Sequence, residues 1–245
     1  MRTPRIHILT PITGADAYVP SQFADLVGTF VTISCSAISR GPASIESVAD
    51  EMMAGPEILR SCLALAADGV EAIVIDCFGD PGVAAARELL SIPVIGPGQS
   101  SLHRAAQLAD RVGVVTMLDN VLPLVRDMGL RAGLDGRLCS VRALDIPVLA
   151  LEGEHFAQAL REQALAAVRD DGAEALILGC TGMFGVSERL STYLTGEIGT
   201  YIPVVDPISS AVLDAVALAR LGLSHSKRAY INPPARTRES ILTLR

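Results

Sequence analysis

Asp68-Gly-Val-Glu-Ala-Ile-Val-Ile-Asp-Cys77-Phe-Gly-Asp-Pro-Gly82 returns 103 residues later as Asp171-Gly-Ala-Glu-Ala-Leu-Ile-Leu-Gly-Cys180-Thr-Gly-Met-Phe-Gly185. The two stretches share Asp, Gly, Glu and Ala at their starts, then a cysteine, then a glycine two residues on. Each reads as an acidic turn, a short aliphatic strand without alternation, and a cysteine where the strand gives way to a glycine-bearing turn. A continuous apolar run of this length suits a strand buried on both faces, as in a parallel sheet.

Other elements repeat around this pair. Arg5-Ile-His-Ile-Leu-Thr10 lines up with Arg111-Val-Gly-Val-Val-Thr116, and Ser91-Ile-Pro-Val-Ile-Gly-Pro97 with Tyr201-Ile-Pro-Val-Val-Asp-Pro207. Helical patterns fill the intervals: residues 20–27, a long one over 44–67 that Gly55-Pro56 is expected to break, 80–90, 98–109, 120–128, 154–170, one after the Cys180 strand that ends at about 194, and 209–221. Strands at 29–34 and 138–142 complete the set, with a short segment at 240–244. Strands alternating with helices imply parallel sheets joined by right-handed crossovers. The expected fold is therefore α/β: two similar doubly wound parallel-sheet domains, the product of an internal duplication, with the active site in the cleft between them. Residues 1–98 plus 208–245 form the first domain, the last helix packing back onto it, and 99–207 form the second.

Composition narrows the function. At 245 residues, half hydrophobic and 19% charged, the chain is long enough to bury a sizeable core. A net charge of −7 argues against nucleic acid as a partner. No apolar stretch is long enough for a membrane span and no signal-like segment opens the chain, so a cytoplasmic protein is expected. The five cysteines are widely spaced, without a C-x-x-C pair, and His7, His103, His155 and His225 are scattered; neither a disulfide framework nor a metal site is expected. Lys227 is the only lysine and lies beyond the last helix, a poor place for a Schiff base.

In open parallel sheets, ligands bind beyond the carboxyl ends of the strands. That places Thr10, Cys77, Thr116 and Cys180 on the functional edge. Two thiols on opposite sides of a small molecule suit inversion at an acidic carbon, one removing a proton and the other returning one from the opposite face. Asp80 as N-cap and Pro81 at the first helical position would set the N-terminus of a helix close to Cys77, favouring its thiolate. Gly79 and Gly182 allow backbone amides to approach developing negative charge. Plainer readings stand beside these. A strand-end threonine is also a turn former, Glu46 at a helix start also complements the helix dipole, and Asp206 also caps the last helix. Cys35, Cys62 and Cys139 read as small buried hydrophobes.

Asp76-Cys-Phe-Gly-Asp-Pro-Gly82, Leu178-Gly-Cys-Thr-Gly-Met183, Ser44-Ile-Glu46 and Ser226-Lys227 together resemble the hydantoin and allantoin racemases, within the aspartate/glutamate racemase superfamily. The resemblance covers nearly the whole chain. It implies cofactor-independent racemisation in a homo-oligomer of two-domain subunits, with Cys77 and Cys180 as the two acid/base groups. It also implies that the backbones of Phe78, Gly79, Thr181 and Gly182, with the Thr116 hydroxyl and residues Thr10, Pro11, Ile12 and Glu46, hold the substrate. Members of that family commonly carry Asn-Pro-Asn where this chain has Thr10-Pro11-Ile12. Gln99 stands for a common glutamate and Asp206-Pro207 for Asp-Gly.

The expected function is thus racemisation or epimerisation of a 5-substituted hydantoin, allantoin or a related small carbonyl compound. Phe78 and Met183 suggest an apolar pocket for the substrate's side chain. An aspartate/glutamate-type racemase, a maleate-type isomerase and a non-catalytic cytosolic small-molecule sensor are the alternatives.

Overall fold

The computed structural model describes residues 3–234. They form two four-stranded, wholly parallel sheets flanked by helices, each a repeat of the other. The first sheet has the order β2-β1-β3-β4, built from β1 (Arg5–Thr10), β2 (Thr32–Ala37), β3 (Ala72–Ile75) and β4 (Val94–Ile95). The second has the order β6-β5-β7-β8, built from β5 (Val112–Thr116), β6 (Leu138–Ala143), β7 (Ala175–Leu178) and β8 (Val204–Val205). The helices are α1 (Ala24–Val27), α2 (Val48–Ala67), α3 (Val83–Leu89), α4 (Pro97–Leu108), α5 (Leu122–Arg131), α6 (Gly153–Arg169), α7 (Ser187–Ile198) and α8 (Pro207–Leu221). The chain divides into two compact units, one up to Gly96 together with the residues from Ala211 onward, the other Pro97–Ser210. The boundary inside α8 falls at its first turn. Among the described residues no helix is long and apolar enough to cross a membrane.

Strands β3, β5 and β7 are buried along their whole length and β1 along all but its first residue, Arg5, which is why these strands carry few polar residues and no alternation. In the first unit Leu9, Ile73, Ile75 and Val94 pack against Ile58 and Cys62 of α2 and Val83 and Ala86 of α3. In the second, Val115, Leu176 and Leu178 pack against Phe156, Leu160 and Ala164 of α6 and Leu190 and Leu194 of α7. Burying one such Leu or Ile side chain stabilises the fold by roughly 1.5–3 kcal/mol, so these layers dominate its stability.

The duplication extends to individual hydrogen bonds. Glu71 N–H donates to Arg5 O and Glu174 N–H to Arg111 O, both at 2.8 Å. Ile73 N–H reaches Pro93 O and Leu176 N–H reaches Pro203 O, both at 2.9 Å. Those two prolines explain why β4 and β8 are shorter than the Ile-Pro-Val patterns suggest. Each proline contributes a carbonyl to the ladder and has no N–H, so regular pairing starts after it.

Two expected breaks and starts differ. Helix α2 runs unbroken through Gly55-Pro56. The bond Pro56 cannot make would go to Met52, which is 73% exposed and can give its carbonyl to water, while Ile58 and Cys62 hold the helix to the core. Helix α3 starts at Val83 rather than at Asp80-Pro81. Its N-cap is Gly82 in the left-handed region (φ 71°), and no side chain caps it. The expected segment at 240–244 lies outside the described residues.

Beyond α8 the chain lies along the first unit. Lys227 Nζ donates to the carbonyls of Arg87, Glu88 and Leu90 (2.6–3.0 Å), closing the C-terminal end of α3. Val94 N–H donates to His225 Nε2 at 2.8 Å, so the edge strand β4 is partly covered. The only lysine is thus a helix cap.

Candidate active site

In each sheet the connections from the two central strands run in opposite directions, which opens a crevice between their carboxyl ends. In the first unit Leu9 pairs with Ile75, so the residues leaving the strands at the crevice are Thr10, Pro11 and Ile12 from β1 and Asp76, Cys77, Phe78 and Gly79 from β3. In the second unit Val115 pairs with Leu178, which sets Thr116 beside Gly179 and brings Cys180, Thr181 and Gly182 to the same place. The two cysteines therefore occupy equivalent positions, each half-buried, each just past the end of a buried strand.

Both are held by backbone bonds on either side. Asp76 N–H donates to Leu9 O, Cys77 N–H to Ile75 O and Asp80 N–H to Cys77 O, at 2.8, 2.8 and 3.1 Å. Gly179 N–H donates to Val115 O at 2.7 Å and Met183 N–H to Cys180 O at 3.2 Å. The strand-end threonines act within these crevices. Thr10 Oγ1 donates to Asp76 Oδ2 at 3.0 Å, and Thr116 Oγ1 donates to Gly179 O at the same distance. Each hydroxyl proton is therefore committed to the protein, and what it can still offer a ligand is a lone pair. Pro11 is buried and Ile12 half-buried. The loop they enter is fastened to residues 42–43 through Thr13 N–H to Pro42 O and Gly14 N–H to Ala43 O, both 3.0 Å.

The expected helix N-terminus at Cys77 is not there. Asp80 lies in the left-handed region (φ 54°), an uncommon conformation for a residue other than glycine, and α3 begins only at Val83. The Asp80 carboxyl group lies against Gly96, where a side chain would collide with it. The second unit has a carboxylate at the matching position from Asp206 itself. Asp206 Oδ1 accepts Ser209 N–H at 2.9 Å, capping α8, and Oδ2 accepts Gly185 N–H at 3.3 Å from the loop after Cys180. Burial raises the Asp206 pKa, partly offset by these bonds.

A side chain at Gly79 or at Gly182 would meet the far end of a neighbouring side chain, which would have to move. A methyl at Gly182 would lie 2.6 Å from Leu151 Cδ1 and 3.6 Å from Cys180 Sγ. A methyl at Gly79 would run into the Glu51 carboxylate and lie 4.0 Å from Cys77 Sγ. Glu51 is thus part of the surroundings of Cys77, and nothing in the sequence pattern marks it: only the packing of α2 over the β3 turn brings it there. Glu46, expected to begin the helix, precedes it. Ser47 is the N-cap, accepting Asp50 N–H at 3.2 Å, and Glu46 N–H donates to Asp50 Oδ2 at 3.1 Å.

Phe78 and Thr181 are buried, and Met183 is packed into the core of the second unit among Leu176, Leu178 and Leu190. Met183 is therefore not part of an apolar substrate pocket, as its place in the motif suggested. The remaining thiols are unsuited to acid/base work near neutrality. Burial pushes Cys62 up to about 12, and burial with the nearby Asp76 charge pushes Cys35 up to about 11; burial also raises Cys139. His103 and His155 are exposed on helices α4 and α6. Among the described residues no three His, Cys, Asp or Glu side chains gather as a metal ion needs.

Comparison with known proteins identifies the family. A family model described as Asp/Glu/Hydantoin racemase matches residues 9–215. The hydantoin racemase of Rhizobium meliloti is 36% identical over 226 residues, 91% of each chain. That of Paenarthrobacter aurescens is 37% identical over 205 residues, 82% of this chain and 84% of the relative. Among solved structures, the allantoin racemase from Klebsiella pneumoniae superimposes with a TM-score of 0.85 at 32% identity, covering 98% of both chains.

Proposed function

The chain belongs to the Asp/Glu/Hydantoin racemase family and is an isomerase of the racemase type, and from that premise we propose that it inverts the acidic carbon of a 5-substituted hydantoin or of allantoin, with Cys77 and Cys180 as the two acid/base groups. The observation that carries the reading is the equivalence of the two thiols. Each is half-buried, at the end of a buried strand and at the crevice of its own sheet. Names of relatives supply the substrate class, since they include hydantoin and allantoin racemases.

The chemistry needs little else. One cysteine, as thiolate, removes the proton from the carbon beside the carbonyl. The electron pair left behind delocalises into that carbonyl as an enolate, so no cofactor is required to hold it. The other cysteine, as thiol, delivers its proton to the opposite face, and the two sulfurs have then exchanged protonation states. Cysteine as a residue type can serve as the base when ionised and as the acid when protonated. Backbone amides of the turns at Phe78-Gly79 and Thr181-Gly182 are the proposed donors to the enolate oxygen. Thr10 and Ile12 are the proposed determinants among hydantoins, because neither offers the amide edge an asparagine would.

Incubation with each enantiomer of several 5-substituted hydantoins, of allantoin and of aspartate and glutamate in deuterated water tests this reading. Racemisation with deuterium entering the acidic carbon of a hydantoin or allantoin is the expected result. Racemisation of the amino acids alone would replace the substrate class, and tight binding without exchange would overturn the enzymatic reading. Cys77→Ser and Cys180→Ser should each abolish racemisation, and full activity in either would sink the two-thiol mechanism.

A further inference from the structure

We propose that Gly14 is a positioning residue for substrate affinity: by letting the loop after β1 close onto residues 42–43, it holds Pro11 and Ile12 as a preformed arch at the crevice of the first unit. Gly14 takes this role on the reading of Thr10, Pro11 and Ile12 as substrate contacts.

The arch is pinned at both ends by main-chain bonds. Thr10 O accepts Ile38 N–H at 3.0 Å, the last rung of the pairing between β1 and β2. After Pro11 and Ile12 the chain is caught again. Thr13 N–H donates to Pro42 O and Gly14 N–H to Ala43 O, both at 3.0 Å, and Thr13 Oγ1 adds a bond to Pro42 O at 3.2 Å. Pro11 and Pro42 are buried and Ile12 is half-buried, whereas Thr13 and Gly14 are exposed.

The second unit, elsewhere a close repeat, takes another course at this point. Thr116 O accepts Leu144 N–H at 2.9 Å as the matching rung, and the next residue, buried Met117, gives its carbonyl to Ile146 N–H at 3.2 Å. The chain there stays against its neighbour and turns into a short 3₁₀ helix, Asp119–Val121. The arch therefore belongs to the first unit, where Thr10-Pro11-Ile12 stands.

Gly14 is what allows the second pin. A methyl built on it would run into the carbonyl oxygen of Ala43, the acceptor of its own N–H, and would lie 3.0 Å from Ala43 Cβ. That carbonyl is main chain and cannot swing aside as the tip of a side chain can, so a side chain at position 14 drives the two loops apart. Pro11 already fixes one backbone angle of the arch. Each further residue ordered before the substrate arrives, rather than by it, improves affinity by about five- to thirtyfold. The proton transfers belong to the cysteines, so loosening the arch weakens binding and leaves the chemical step in place.

Gly14→Ala in the full chain tests this, with Gly196→Ala as control, since a methyl at that position of α7 meets open space. KM should rise at least about tenfold in Gly14→Ala with kcat within about threefold, and both should stay within about twofold in the control. The urea midpoint should hardly move, because the pin lies at the exposed surface. An unchanged KM, or kcat and urea midpoint falling together, overturns the proposal. Amide exchange in the unaltered protein reads the pin without any variant. The Thr13 and Gly14 N–H groups should exchange at least about tenfold more slowly than in an unstructured peptide, and equal rates overturn the proposal even where Gly14→Ala fails to fold. The kinetics are run on whichever compound the deuterium assay shows to be racemised, with Kd in place of KM for one that binds without exchange. Failure of the hydantoin reading thus changes the compound, and the Gly14 result stands or falls by itself.

Discussion

The carboxyl group of Asp80 occupies the space into which a side chain at Gly96 would project. In the second unit the residue at that point of the repeat, Asp206, supplies the carboxylate from its own backbone and ties the loop after Cys180 to α8. The two units therefore keep a carboxylate at the end of their last strand while drawing it from different segments of chain. Asp80 adopts a left-handed backbone (φ 54°) in doing so, at a cost of order 1–3 kcal/mol that the surrounding contacts must offset.

Gly96→Ala should therefore destabilise the protein by about 1–3 kcal/mol through overpacking against Asp80. Asp80→Ala in the same chain removes the obstacle. The double variant should then be more stable than the sum of the singles predicts, by about 0.5–3 kcal/mol. Urea unfolding of the four proteins measures the coupling. Strict additivity would show that the Asp80 carboxyl does not fill the space over Gly96.

The hydrogen bond from Thr10 to Asp76 supports a second prediction. Asp76 is buried and its Oδ2 accepts the Thr10 hydroxyl at 3.0 Å. Thr10→Val keeps the shape of the side chain and removes the donor, which should cost about 1–3 kcal/mol for a bond to a charged acceptor. Thr116→Val removes a bond to the neutral carbonyl of Gly179 and should cost only about 1 kcal/mol. Thr10→Ser retains the donor and should recover most of the loss. The urea midpoints of the three variants rank these effects, and a Thr116→Val loss larger than that of Thr10→Val would contradict the assignment.

How much of this could be read in advance varies with range along the chain. The sheets were legible because a parallel strand buried on both faces has to be aliphatic throughout, and Ala72–Ile75 and Ala175–Leu178 are. The thiols were legible because duplication set Cys77 against Cys180 at the same strand end. The start of α3 was not, because Asp-Pro is a good local helix opening that lost to a tertiary contact, the Asp80 carboxyl over Gly96. Met183 looked like a pocket residue from its place in the motif, yet its side chain turns into the core. Glu51 lay beyond reach, since its approach to Gly79 depends on how α2 crosses a turn some thirty residues away in sequence. The Thr10–Asp76 bond likewise follows only from the register that sets Leu9 opposite Ile75.

Space around Cys180 gives a third expectation. Gly182→Ala would place a methyl 2.6 Å from Leu151 Cδ1 and 3.6 Å from Cys180 Sγ. Leu151 can swing aside, so the stability cost should stay near 1 kcal/mol. If Cys180 is an acid/base group as proposed, activity should fall much further, because a displacement of about 1 Å near a reacting group costs on the order of 10²-fold. Leu151→Ala in the same chain should restore part of the kcat. Comparing kcat with the urea midpoint separates the effects; a variant that loses stability and activity in proportion would point to a purely structural glycine.

The last prediction concerns pH and the segment that follows α8. His225 Nε2 lies 2.8 Å from Val94 N and 3.0 Å from Val94 O, so the neutral ring accepts the amide and the protonated one can donate to the carbonyl, which opposes the fall in its pKa. Burial lowers the His225 pKa to about 4, helped by the Arg87 and Lys227 charges. The unfolded chain takes up this proton near 6.5, so between about 6.5 and 4 the unfolded state binds more protons than the folded one. Stability should accordingly fall as pH is lowered through that window and level off below it. His225 is only half-buried, so it accounts for about 1 kcal/mol rather than the full linkage value. His7, also lowered by burial and bonded to Ser34 and Ser36 at 2.8 Å, adds a loss of the same sign. Asp206 opposes them at lower pH, since burial raises its pKa and its protonation favours the folded state. His225→Gln retains an acceptor for Val94 without a titrating group. Urea midpoints taken between pH 7.5 and 4.5 should therefore decline less steeply in this variant, and an unchanged slope would remove His225 from the acid response.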